Sequence, residues 1–176
     1  CGGGLLAEAL YLKGANVTGV DISDVAIHTA KKHAKKENVD INYILGEAEN
    51  LLPEKNERFD VVTCLEAIEH VPDPNQLVKT CSDLCRHNGD IFFSTINRNP
   101  KSFLFAIVGA EYILNLLPKG THDYEKFIKP SELITMMENN GLTVKELTGM
   151  SYNPLTKNYW LGNNVDVNYL VHAKKI

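Results

Sequence analysis

Residues 59–74 read FDVVTCLEAIEHVPDP, and this stretch decides the fold. It opens almost continuously apolar, Phe59-Asp60-Val61-Val62-Thr63-Cys64-Leu65, which predicts a strand buried on both faces. It closes with Glu66, Glu69 and His70, spaced i, i+3 and i+4. A helical backbone there would set the three polar side chains on one face. Pro72 and Pro74 then interrupt the chain before the next helix. Open α/β sheets bind ligands beyond the carboxyl ends of their strands, so chemistry is expected where this strand ends.

Upstream, Cys1-Gly2-Gly3-Gly4 is a glycine-rich turn, and Leu5, Leu6, Ala9, Leu10 and Leu12 follow at helical spacing up to Gly14. A strand normally precedes such a turn, so the first strand of the sheet is expected before Cys1. Residues 17–21, VTGVD, predict a short strand ending in an acid about 20 residues after the turn, where doubly wound nucleotide sites hold ribose hydroxyls. Ser23 or Asp24 can cap a helix running to about Lys36, with Ala26, Ala30 and Ala34 as a small-residue stripe for close packing. Residues 41–45 predict a third strand, followed by Gly46-Glu47-Ala48-Glu49.

Downstream, Leu77, Val78, Cys81, Leu84 and Cys85 mark an amphipathic helix. Asn88-Gly89-Asp90 is a turn and residues 91–95 a fifth strand. Strands alternating with helices predict an α/β fold on a mostly parallel sheet. Residues 97–127 break the alternation as a helical insertion. Its middle, 102–117, reads SFLFAIVGAEYILNLL, flanked by Arg98, Lys101 and Lys119. Two readings stay open: helices packed over the pocket, or contact with a membrane surface or lipid tail, since basic residues beside an apolar helix favour anionic interfaces. Ser131 is expected to cap a helix ending at Gly141. Residues 142–147 and 165–173 predict a terminal antiparallel hairpin, with 150–164 as its loop. Seven strands in one domain over 1–176 are expected, counting the one before Cys1.

The composition bounds the function. At 176 residues, 44% hydrophobic and 23% charged, the chain has the make-up of an ordinary globular domain. A net charge of −4 argues against a nucleic-acid partner. Cys1, Cys64, Cys81 and Cys85 form no C-x-x-C pair, and three lie in apolar settings, as reduced, buried thiols do. No apolar run reaches transmembrane length, and no signal peptide is seen.

Dehydrogenases and methyltransferases both carry glycine turns. Two features favour S-adenosylmethionine here. Gly4 is followed by Leu5, Leu6 and Ala7, without the later glycine of G-x-G-x-x-G, and the sheet closes in a hairpin instead of a second nucleotide-binding half. The expected contacts are Gly2 and Gly4 in the turn, Asp21 on the ribose with Ile22 beside it, Glu47 and Ala48 near the adenine, and Leu65 against the cofactor. A capping role for Asp21 and a solvated loop at 47–49 are the bland alternatives.

Gly2–Gly4, Gly19-Val20-Asp21 and Glu69-His70-Val71-Pro72-Asp73-Pro74 together resemble a Rossmann-like class I S-adenosylmethionine-dependent methyltransferase. More specific are STINRN at 94–99, VGAEYI at 108–113, PKGTHD at 118–123, KFIKP at 126–130, YNP at 152–154 and NY at 168–169. These resemble the ubiquinone-biosynthesis O-methyltransferase family over essentially the whole chain. The resemblance implies methylation of a polyprenylated catechol, both 2-polyprenyl-6-hydroxyphenol and 3-demethylubiquinol. It implies a divalent ion, usually magnesium, on a Glu-x-x-Glu-His motif that maps onto Glu66, Glu69 and His70. It also implies other ubiquinone-biosynthesis proteins as partners, and a cytoplasmic location at the periphery of the inner membrane. A glycine just before Cys1 and an upstream arginine belong to the family pattern.

A phenol of pKa about 10 is a poor nucleophile at neutral pH. Three roles for His70 stay open: metal ligand, general base, or a purely structural part of the turn. His122 is a second candidate base, with a surface loop as its alternative. A different small-molecule methyltransferase, or a non-catalytic lipid-binding subunit, is the competing class of function.

Overall fold

The computed structural model describes residues 1–52, 58–103, 124–153, 156 and 158–176. The described residues form two compact units, Cys1–Leu52 and Pro53–Ile176.

In the first unit, helix α1 (Leu5–Tyr11) starts directly after the glycine turn. Strands β1 (Thr18–Asp21) and β2 (Asn42–Leu45) pair in parallel, with Asp21 opposite Leu45. Helix α2 (Asp24–Glu37) connects them. Ser23, not Asp24, is its cap: the hydroxyl accepts from the Ala26 N–H, and Asn38 closes the far end in the left-handed region. The alanine stripe works as expected. Ala30 and Ala34 are buried with Ile27, Ala7 and Tyr43, and Ala26 is half-buried.

The second unit holds a five-stranded sheet in the order β3 (Phe59–Leu65), β4 (Cys85–Ile96), β7 (Asn168–Lys175), β5 (Leu142–Asn153), β6 (Asn158–Gly162). β3 and β4 run parallel, while β4–β7, β7–β5 and β5–β6 are antiparallel, so this sheet is mixed. Seven strands are thus described, in two sheets. Helices α3 (Pro74–Leu84) and α5 (Pro130–Asn139) pack on one face, where Ile91, Phe93, Tyr169 and Val171 meet Val78, Leu133 and Met137. A further short helical turn, α4 (Pro100–Ser102), follows β4.

Four expectations change. Among the described residues β3 pairs only with β4, and Val61 (49% exposed) and Leu65 (36%) are open, so its apolar run is not buried on both faces here. β4 begins at Cys85 and passes through the expected 88–90 turn. Asn88 takes a positive φ there, and the β3–β4 register shifts between Phe59 and Val61. Lys129, not Ser131, is the cap of α5: Pro130 takes the first helical position and the Glu132 carboxylate accepts from the Lys129 N–H. The expected loop 150–164 contains the rest of β5 and all of β6. Tyr152 and Tyr159 stack across this pair with ring centroids 4.5 Å apart, the cross-strand aromatic contact that stabilises a two-strand ribbon. Residues 104–123, and with them His122 and most of the insertion, lie outside the described residues.

The four cysteines are free, with Cys81 and Cys85 buried. No helix among the described residues is long and apolar enough to cross a membrane.

Asp90, at the start of the β4–β7 pairing, accepts a hydrogen bond from His172 Nε2 at 2.7 Å and from Lys174 Nζ at 3.1 Å. Chiefly the His172 bond, and then Lys174, hold its carboxyl below the ordinary range. A depressed carboxyl stabilises the fold above its unfolded pKa, and that contribution is lost as pH falls through the folded value. Stability should therefore drop below about pH 4, and Asp90→Asn should flatten that part of a urea-melt pH series.

Candidate active site

At the carboxyl ends of β1 and β2 the first unit brings together Gly2, Asp21, Ile22, Glu47 and Ala48, residues expected to contact the donor. Asp21 Oδ2 accepts from the Gly2 N–H at 2.8 Å and from the Cys1 nitrogen at 2.9 Å, and Oδ1 accepts from the Ser23 N–H at 2.9 Å. The Gly46 N–H donates to the Asp21 carbonyl at 3.0 Å, which brings Glu47 and Ala48 next to Asp21 and the highly exposed Ile22. Asp21 is therefore not a helix cap. It pins the glycine turn.

The turn is shaped for close approach. Gly2 and Gly4 have φ of 55° and 89°. A Cβ on Gly2 would meet open space, whereas one on Gly4 would fall 2.4 Å from the Tyr43 hydroxyl. A carboxylate offers about four acceptor positions, so Asp21 keeps capacity for a ligand hydroxyl beside its three donors. Glu47 is committed locally: its N–H donates to Asn50 Oδ1 at 2.7 Å, starting the 3₁₀ turn Ala48–Leu51.

In the second unit the strand β3 ends in Leu65 and turns sharply at Glu66, whose φ of 50° is rare for a residue with a Cβ. The 3₁₀ turn begins only at Ile68 and runs to His70. The helical face expected for Glu66, Glu69 and His70 therefore does not form. Ser94 Oγ donates to Glu66 Oε1 at 2.7 Å, and Thr95 Oγ1 donates to Glu69 Oε2 at 2.8 Å. Glu69 is 3% exposed, and its other oxygen stands 4.0 Å from His70 Nε2. Among the described residues no three His, Cys, Asp or Glu side chains converge as a metal cage would require. As placed, Glu66, Glu69 and His70 do not fit one ion.

Glu69 and His70 border a cleft of about 440 Å³. Val71, Phe127 and Met136 give it apolar walls, and Arg98 pairs with Glu132 inside it. Tyr169 braces the wall from behind: its hydroxyl donates to the Ile128 carbonyl at 2.8 Å. Burial, with the Glu132, Glu69 and Glu66 carboxylates nearby, pushes this phenol far up, so it stays protonated and keeps donating. Ser94, Thr95, Arg98 and Glu132 are site residues that spacing alone did not single out. The signal for the first two is a hydroxyl pair ending an apolar strand, IFFST.

Residues 1–93 match the family described as methyltransferase domain. The ubiquinone biosynthesis O-methyltransferase of Acinetobacter baumannii (strain AYE) is 56% identical over 176 residues, covering 99% of this chain and 74% of that protein. The chain belongs to the ubiquinone biosynthesis O-methyltransferase family. The protein of the same name from Saccharophagus degradans is 55% identical over 177 residues, covering 75% of its length. This family member shares its fold with solved methyltransferases. Magnesium protoporphyrin IX methyltransferase from Synechocystis PCC 6803, with bound SAH, superposes with a TM-score of 0.70 at 17% identity, over 100% of this chain and 71% of that one. A SAM-dependent methyltransferase from Methanosarcina mazei gives 0.72 at 18%, covering 100% and 89%. The chain is thus a class I, S-adenosylmethionine-dependent methyltransferase.

Proposed function

We propose that this enzyme methylates a hydroxyl of polyprenylated catechols in ubiquinone biosynthesis, acting on 2-polyprenyl-6-hydroxyphenol and 3-demethylubiquinol. The observation that carries the reading is a cleft lined on one part by Val71, Phe127, Ile128 and Met136 and on the other by charged groups, Glu125, Lys126 and the Arg98–Glu132 pair, with His70 at its border and the buried Glu69 carboxylate behind it. A ring lies against such walls, while His70, about half exposed, remains reachable.

S-adenosylmethionine, when bound, supplies an electrophilic methyl group on a sulfonium. Gly2, Gly4 and Asp21 would hold it, with Ile22, Glu47, Ala48 and Leu65 as further contacts. With the donor bound, its carbon–sulfur bond would break as the methyl group passes to the phenolic oxygen, leaving S-adenosylhomocysteine, and His70 would accept the phenolic proton. Glu69 steadies the imidazolium that results. The cleft walls orient the ring for in-line attack, and proximity supplies much of the acceleration. Mass spectrometry of a short-chain prenyl catechol incubated with the enzyme and S-adenosylmethionine tests this. One added O-methyl group is expected, and methylation of carbon or nitrogen would count against it.

An isoprenoid tail stays in the bilayer, so the head group is met at its surface. Residues 102–117 are proposed as the contact with the cytoplasmic face of the inner membrane, through an apolar run with basic flanks. Phe103 supports this, being 44% exposed. Phe103→Asp and Phe105→Asp should reduce flotation with anionic liposomes. Unchanged flotation removes the membrane role.

A further inference from the structure

We infer that Glu66 and Glu69 do different jobs and do not share one bound cation: Glu69, with His70, serves the cleft, and Glu66 ties the end of β3 to Ser94 of β4. The inference rests on the reading of the His70 cleft as the acceptor site.

The warrant lies in strand geometry. Ser94 and Thr95 are consecutive residues of β4, both inside the β4–β7 ladder, where Ser94 pairs with Leu170 and Thr95 with Tyr169. Successive side chains of a strand point to opposite faces of the sheet. Ser94 holds Glu66 and Thr95 holds Glu69, so the two carboxylates are tied to opposite faces of β4. Thr95 lies on the face of Phe93 and Tyr169, the face covered by α3 and α5, and the cleft includes Glu132 and Met136 of α5.

Glu66 is fixed through its backbone as well. Its N–H donates to the Ser94 carbonyl at 3.0 Å and to Ser94 Oγ at 3.1 Å. Main chain and carboxylate together close on one serine, and this closure accompanies the left-handed φ at Glu66. Bringing its carboxylate to the Glu69 side would break these bonds and rebuild the turn.

The test is Mn²⁺ binding to the intact protein, read by electron paramagnetic resonance of the free ion, for the parent, Glu66→Gln and Glu69→Gln. S-adenosylmethionine affinity is measured on the same samples by calorimetry. Glu66→Gln should change Mn²⁺ affinity by less than about fivefold, small beside the 10–100-fold expected of a residue that supports a ligand set. Glu69→Gln bears any loss. A parent that binds no Mn²⁺ also agrees, since no shared site then exists. A loss of about fivefold or more in Glu66→Gln overturns the inference. Should Glu66→Gln fail to fold, Ser94→Ala frees the same carboxylate and is judged by the same threshold. Failure to bind S-adenosylmethionine in the parent would strike at the methyltransferase reading and leave the Mn²⁺ comparison standing.

Discussion

His70→Ala is expected to lower kcat/KM for methyl transfer to a short-chain prenyl catechol by about 10²–10⁴-fold, the usual contribution of a positioned general base. S-adenosylmethionine affinity should stay within about twofold of the parent, because the contacts proposed for the donor at Gly2, Gly4 and Asp21 belong to other elements. His70 is suited to the task by position. It borders the cleft, it is about half exposed, and Glu69 lies 4.0 Å from its Nε2 in near-complete burial. Activity rates and calorimetry check the two parts, and a circular dichroism spectrum shows that the variant is folded. A loss of less than about threefold would return His70 to a structural role in the turn.

Gly4→Ala is expected to weaken S-adenosylmethionine binding by about tenfold or more, equivalent to at least about 1.4 kcal/mol. Two costs combine. A left-handed backbone disfavours any L side chain by roughly 1–2 kcal/mol, and Gly4 has φ of 89°. The new methyl would also fall 2.4 Å from the Tyr43 hydroxyl and 3.1 Å from Ala30 Cβ. Tyr43 and Ala30 belong to the buried cluster of the first unit, so neither yields easily. Gly2→Ala is a useful contrast: it shares the positive φ but meets open space, so a smaller loss is expected. Calorimetric titration of both variants gives the ordering.

The local elements were legible because their determinants are local. The glycine turn, the acid ending β1, the Ser23 cap and the alanine stripe each sit within a few residues of what they control. Burial of β3 was not, since an apolar run does not record which neighbours cover it, and Val61 and Leu65 are open among the described residues. Strand β6 was hidden by the asparagines and proline between Tyr152 and Tyr159, which read as loop. Its pairing depends on contacts with β5.

The candidate site divides in the same way. Asp21 and the Glu69–His70 pair could be named from spacing. Their partners could not, because Ser94 and Thr95 lie 28 and 26 residues away from Glu66 and Glu69. The i, i+3, i+4 argument assumed a helix starting at Glu66, and the left-handed φ at that residue removes it. Arg98 and Glu132, 34 residues apart, meet only when β4 and α5 are assembled.

A crystal of the protein grown with S-adenosylhomocysteine tests the central claim most directly. The account predicts density over the glycine turn, with the ribose hydroxyls on the Asp21 carboxylate and the adenine beside Glu47 and Ala48. Ligand bound elsewhere, with Asp21 contacting nothing but its own Gly2 and Ser23 N–H groups, would contradict it.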